Sequence, residues 1–260
     1  MQRLLGKVAL VTGASRGIGR GSAICLAEEG ADVLVNYRSH PDEAQSVVEQ
    51  IAALGRRAVA WQADVADPAQ VERMVQATIE HFGHLDIAVA NAAYSVRQPI
   101  LEADWDGVQR TVNVTMFGVW HTCRYAARQM VAQGRGGKII IISSIVSEFC
   151  FGAPAYSMAK SGINHFGEIL AHELAPHHIN VNIIRPGWID TPGERAFFSE
   201  EDLQRGGKMI PWGRLGTDRD IGRCVVYLAS DDADYVTGAS IRVDGGYMVG
   251  LKLPPKETDG

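Results

Sequence analysis

Residues 138–162 read Lys138-Ile139-Ile140-Ile141-Ile142-Ser143-Ser144, then a loop, then Ala155-Tyr156-Ser157-Met158-Ala159-Lys160-Ser161-Gly162. Four consecutive isoleucines are β-branched and apolar without alternation, the pattern of a strand buried on both faces of a parallel sheet. The run stops at two serines, at the strand's carboxyl end, where open α/β sheets form their ligand crevice. Tyr156 follows Ser144 by twelve residues, and Lys160 follows Tyr156 by four. If a helix opens at Tyr156, that spacing puts phenol and ammonium on one face, one turn apart. A phenol with its ordinary pKa near ~10 transfers protons poorly at neutral pH. A fixed cation beside it favours the phenolate, and a drop of about three units takes roughly 4 kcal/mol of electrostatic help. The serine hydroxyl can then hold a substrate oxygen against the phenol. Tyr-x-x-x-Lys is common on solvated helix faces, so the upstream sequence decides what it means.

Upstream, Lys7-Val8-Ala9-Leu10-Val11-Thr12 reads as a buried strand that breaks at Gly13-Ala14-Ser15-Arg16-Gly17-Ile18-Gly19. A helical pattern from Ile18 to about Glu29 closes at Gly30, and Ala31 to Asn36 reads as a second strand. Glycines at this strand-to-helix turn let the backbone approach a phosphate, and free N–H groups at the helix start favour negative charge there. The spacing G-x-x-x-G-x-G is a weak pattern alone; inside a βαβ unit it points to a dinucleotide site.

The alternation continues. Helices are expected over 41–54 and 68–82, with strands at 57–61 and 85–90. A long helical region follows from Asp104 to Gln133, interrupted near Gly118, and then the strand at 138–142. After the Tyr156 helix come a strand at 179–184, a stretch without clear period at 192–210 that suits a mobile lid, a helix at 221–228 and a final strand from Ser240. Regular βα alternation predicts a doubly wound parallel α/β sheet of about seven strands, with right-handed crossovers and helices on both faces. No linker or repeat divides the chain. One domain is expected over residues 1–250, with a substrate lid at about 188–212 and a flexible tail at 251–260.

Composition narrows the classes. A net charge of −5 gives no basic footprint for nucleic acid. No apolar run reaches the ~18–20 residues of a membrane span, and no signal peptide is visible at the start. Cys25, Cys123, Cys150 and Cys224 are scattered without metal-binding spacing, so no metal site is expected. A cytoplasmic location is the simplest expectation.

With these motifs in order, residues 5–248 resemble the short-chain dehydrogenase/reductase family. Thr12 to Gly19 looks like its cofactor loop, Asp64-Val65 like the pair that meets the adenine, and Pro186-Gly187 like its turn after the sixth strand. Asn113, Ser144, Tyr156 and Lys160 match its catalytic set. The resemblance implies a Rossmann-type fold with Tyr156 as general acid/base and Ser144 orienting the substrate oxygen. It implies that Lys160 holds the nicotinamide ribose and lowers the pKa of Tyr156, and that Asn113 holds a water that relays protons to Lys160. Contacts to the cofactor are implied for Gly13, Ser15, Arg16, Gly17, Ile18, Gly19, Asn36, Tyr37, Arg38, Ser39, Asp64, Val65, Asn91, Ala92, Ala93, Tyr156, Lys160, Pro186, Gly187, Ile189 and Thr191. One departure stands out: the family's Asn-Asn-Ala-Gly segment is Ala90-Asn91-Ala92-Ala93 here, so altered cofactor affinity is expected rather than lost chemistry.

At the end of the second strand, where NAD-specific members carry an acidic residue, this chain has Tyr37. Arg16 and Arg38 are placed to meet a 2′-phosphate, for which guanidinium forks are suited. NADP is therefore the expected cofactor, with NAD possible. Segments 94–98, 147–153 and 188–210 should wall the substrate pocket. Phe149, Cys150, Phe151, Trp188, Phe197 and Phe198 would give it apolar bulk, and Arg97, Glu148 and Glu194 are its candidate polar contacts.

The stretch Val35 to Ser39 and the segment Tyr235 to Gly246 look similar to bacterial glucose 1-dehydrogenases and, in part, to 3-oxoacyl-carrier-protein reductases. The expected partner is a small-molecule polyol, sugar or ketone, with acyl-carrier-protein reduction as the alternative. A non-catalytic dinucleotide sensor is the reading from another class, and the intact Tyr156 and Lys160 argue against it. The family usually forms homotetramers, and an apolar face around Met116, Trp120 and Tyr125 is compatible with one; sedimentation as a monomer at micromolar concentration would reject it.

Overall fold

The computed structural model describes residues 2–150 and 152–250. Seven strands form one sheet: β1 (Val8–Val11), β2 (Asp32–Tyr37), β3 (Ala58–Gln62), β4 (Ile87–Ala90), β5 (Gly137–Ile142), β6 (Ile179–Pro186) and β7 (Ser240–Val243). Their order is β3-β2-β1-β4-β5-β6-β7, and every pairing is parallel. The order reverses between β1 and β4, which opens a crevice at the carboxyl edge there.

Alternate residues along each strand feed two separate cores, because successive side chains point to opposite faces. Val8, Leu10, Ile139 and Ile141 lie in one core with α3 (Pro68–Phe82), α5 (Gly118–Gln133) and α6 (Pro154–Leu174). Ala9, Val11, Ile140 and Ile142 lie in the other with α1 (Gly17–Glu28), α2 (Pro41–Ala53) and α9 (Asp218–Ala229). Both faces are therefore covered, which explains why β5 needs no polar residue among its isoleucines.

The long helical region is α4 (Trp105–Val112) and α5 joined by a π turn over Asn113–Phe117, which is the interruption expected near Gly118. One expectation is corrected: residues 192–210 are not irregular. They fold into α7 (Pro192–Arg195), capped by Thr191, and α8 (Glu200–Met209), started by a reciprocal Ser199–Asp202 capping box. Gly206 of α8 lets the backbone sit on the Trp188 indole, where a Cβ would come within 2.1 Å of the ring. The expected tail at 251–260 lies outside the described residues. Among the described residues no helix is long and apolar enough to cross a membrane.

Candidate active site

The carboxyl ends of β1, β4, β5 and β6 converge on the first βα turn. Gly13 and Gly17 adopt left-handed backbone conformations there, with φ of 62° and 54°. Thr12 and Asn91 tie the turn to β4: Asn91 Nδ2 donates to the Thr12 carbonyl at 2.8 Å, and Thr12 Oγ1 accepts from the backbone N–H groups of Asn91 and Ala92. Asn36 is fully buried, its Oδ1 accepting from Gly13 N–H at 3.0 Å and its Nδ2 donating to the Ala63 carbonyl at 3.1 Å. It shapes the loop from behind and has no amide group left over for a ligand.

The α1 N-terminus has no side-chain cap and no acidic residue in its first turn. By contrast α3 is capped by Asp67, and α9 by Thr217 and Asp220. Uncapped N–H groups at a glycine turn suit the pyrophosphate of a dinucleotide. The turn opens on a cleft of about 530 Å³ whose lining includes Ser15, Arg16, Gly17, Thr191, Pro192 and Arg195. These residues fit a nicotinamide dinucleotide.

The other expected cofactor residues divide. Tyr37, Arg38 and Ser39 follow one another at the end of β2, and Arg38 makes no side-chain hydrogen bond or ion pair among the described residues. Arg16 is already held, its Nε and Nη2 each donating to Glu43 of α2 at 2.7 Å. Glu43 carries no signal in the sequence beyond its acidity. Asp64 accepts from Arg110 at 2.7 Å, while Val65 is buried in the core against Gly118. The Val65 side chain is thus part of the core, which leaves its backbone to face the crevice in the ligand contact expected there. Pro186 and Ile189 are buried at and just past the end of β6, and Thr191 sits against Gly17.

The catalytic candidates come from β5 and α6. Pro154 opens α6, so Tyr156 and Lys160 lie in its first two turns. Lys160 is 1% exposed, and its Nζ donates to the Ile142 carbonyl at 2.7 Å while standing 5.4 Å from the Tyr156 ring centroid. Burial lowers its pKa to about 7. The Tyr156 phenol is raised above its ordinary value, first by burial and then by Glu194, with Arg97 opposing. The Lys160 ammonium is drawn to a β5 carbonyl, and the charges that act on the phenol are those of Glu194 and Arg97. Ser144 is half-buried at the end of β5, where its Oγ accepts from Val146 N–H at 3.3 Å.

Asn113 does not join this buried set. It opens the π turn on the exposed side and makes no side-chain hydrogen bond among the described residues. Two residues on, Thr115 is fully buried; its Oγ1 donates to the Tyr94 carbonyl at 2.7 Å and accepts from Tyr94 N–H at 3.0 Å. Thr115 thereby anchors the start of the 94–98 segment at Tyr94.

Of the other wall residues, Glu148 pairs with Arg185 and Phe149 meets Tyr247 edge-on at 5.5 Å. Cys150 is exposed, and Phe151 lies outside the described residues. Trp120 is 47% exposed and stacks on Phe166 at 5.0 Å, whereas Met116 and Tyr125 pack partly into the core.

A doubly wound parallel sheet with an uncapped glycine turn beside a tyrosine–lysine helix defines a Rossmann-type protein with an acid–base site. Comparison narrows the class. A family model described as enoyl-(acyl carrier protein) reductase matches residues 13–248. The chain is 41% identical over 255 residues to an L-rhamnose 1-dehydrogenase (NAD(P)(+)) of a Sphingomonas species, covering 97% of this chain and 100% of that one. It is also 41% identical over 249 residues to a 3-oxoacyl-acyl-carrier-protein reductase of Staphylococcus aureus, covering 93% and 98%. A crystal structure of a short-chain type dehydrogenase/reductase from Mycobacterium marinum superposes with a TM-score of 0.90 at 37% identity, covering 96% and 98%. The chain belongs to the short-chain dehydrogenase/reductase family and is an oxidoreductase acting on CH–OH groups.

Proposed function

We propose that the protein transfers a hydride between a nicotinamide dinucleotide and a secondary alcohol or sugar hemiacetal, with NADP(H) preferred and NAD(H) accepted. The observation that carries this is the convergence of Tyr156, Lys160 and Ser144 beside an uncapped α1 N-terminus at the sheet's switch point. The cofactor supplies the hydride chemistry when bound. The chain's part is to hold the substrate oxygen and move its proton. Ser144 Oγ orients the oxygen, and the Tyr156 phenol gives it a proton in the reduction direction or takes one in oxidation. Lys160, buried one turn further on, can carry that proton onward because its pKa near 7 lets either form exist at neutral pH. The sugar substrate of the rhamnose dehydrogenase relative supports the polyol assignment, and its NAD(P)(+) designation supports dual cofactor use.

Glu43 accounts for the dual use. A 2′-phosphate reaching for Arg16 must displace a carboxylate from a bidentate pair, while Arg38 is free to meet it. Titration by nicotinamide fluorescence should show NADPH binding tighter than NADH in the native protein. In Glu43→Gln the NADPH-over-NADH preference should widen by about 10-fold, or about 1.4 kcal/mol. Tighter NADH in the native protein, or an unchanged ratio in the variant, would remove Arg16 from 2′-phosphate recognition.

A further inference from the structure

Arg97 and Glu194 meet between two segments, one on the loop after β4 and the other on α7. The Arg97 guanidinium forks onto the Glu194 carboxylate, Nη2 donating to Oε1 and Nη1 to Oε2, the latter at 3.4 Å. Trp188 donates its indole N–H to the same Oε2 at 3.1 Å. The guanidinium carbon lies 4.2 Å from the Phe197 ring centroid, and Trp188 meets Phe198 edge-on at 5.1 Å. Gly206 braces Trp188 from behind. Both charged side chains remain partly open, at 30% and 21%, and both act electrostatically on the Tyr156 phenol. A polar pair with an aromatic backing thus lies close enough to the Tyr156 phenol to act on its charge.

We propose that the Arg97–Glu194 pair is the substrate-recognition subsite and that it selects neutral polyhydroxylated substrates over sugar acids and acyl thioesters. The proposal rests on the oxidoreductase reading above. A vicinal diol can accept from the guanidinium and donate to the carboxylate at once, replacing water on both without separating the charges. The aromatic rings offer an apolar surface to the C–H face of the same molecule. An anionic sugar acid meets a guanidinium already neutralised, and taking it would strand Glu194 beside a second carboxylate. An acyl chain laid across the pair would strip water from two charges and return no hydrogen bond. The pair has no net charge, and a neutral polyol matches it best.

The test is steady-state kinetics on D-glucose, L-rhamnose, D-gluconate and 3-hydroxybutyryl-CoA, with NADP+ and with NAD+ in excess. The native protein should show its highest kcat/KM on one of the two aldoses. Glu194→Gln keeps the side chain's size and an acceptor for Trp188 but leaves Arg97 uncompensated. KM for the aldose should rise about 10-fold with kcat less affected, and the gluconate-to-aldose ratio of kcat/KM should shift about 10-fold towards the acid. Arg97→Gln should raise the aldose KM similarly and shift the gluconate-to-aldose ratio away from the acid, an opposite sign that general structural damage would not produce. Native preference for gluconate or the thioester, or aldose KM values within twofold of native in both variants, would overturn the subsite. Absence of turnover on all four, in protein that still binds NADPH, would instead overturn the oxidoreductase reading and this subsite with it.

Discussion

Tyr156→Phe should lower kcat for the preferred alcohol by about 10³-fold while leaving NADPH affinity within a few-fold of native. The expectation follows from which atom is removed. The variant keeps the ring, its packing and the 5.4 Å approach of Lys160 Nζ, and loses the hydroxyl that exchanges a proton with the substrate oxygen. General acid–base groups contribute about 10²–10⁴ in rate, and here no second proton donor replaces the phenol: Lys160 points its Nζ at the Ile142 carbonyl. Because the native phenol is raised by burial, oxidation of an alcohol should speed up as pH rises towards the phenol's pKa, whereas reduction should not need that deprotonation. The check is kcat and KM for both proteins beside a fluorescence titration with NADPH. Native turnover in Tyr156→Phe would remove the tyrosine from the chemistry.

Gly19→Ala should abolish cofactor binding and destabilise the fold by about 1–3 kcal/mol, the usual cost of forcing atoms into a packed site. A Cβ at position 19 would stand 2.3 Å from the Gly13 carbonyl oxygen and 2.5 Å from Asn91 Nδ2. Neither neighbour can yield. The carbonyl belongs to the cofactor turn itself, and the Asn91 amide is held by the Thr12 and Gly13 carbonyls at 2.8 and 3.2 Å. Gly162→Ala is the matching control. It lies within α6, where a Cβ meets only the flexible Met116 side chain at 3.4 Å, so the helix should tolerate it or gain up to about 1 kcal/mol. Thermal unfolding and NADPH titration of the two variants make the comparison. Unchanged binding in Gly19→Ala would mean that the turn does not cradle the phosphates.

What the sequence makes legible is what local pattern controls. The isoleucines of β5 announce a doubly covered strand because nothing polar interrupts them, and Gly13 to Gly19 announces the turn because only a strand, a glycine turn and a helix fit that order. Residues whose role depends on distant partners are hidden. Asn113 opens a π turn that rotates the following residues relative to an unbroken helix, and Thr115 is buried two residues later. Lys160 turns to the Ile142 carbonyl, a contact across the strand–helix join that no spacing encodes. The side-chain partners of Asn36 and Val65 are equally hidden in the linear order: the Asn36 amide bonds Gly13 and Ala63, and Val65 packs on Gly118. The helices at 192–195 and 200–209 escape notice because caps hold their ends and Gly206 fits against Trp188, while they carry few apolar residues of their own. Glu43 becomes visible only when α2 is placed beside the glycine turn.

The most direct test of the account is the absorbance of reduced nicotinamide when native protein is given NADP+ and a neutral aldose. Steady formation of NADPH that depends on the sugar is expected, with a slower trace from NAD+. A flat trace with both cofactors across the aldoses, from protein that binds NADPH, would contradict it.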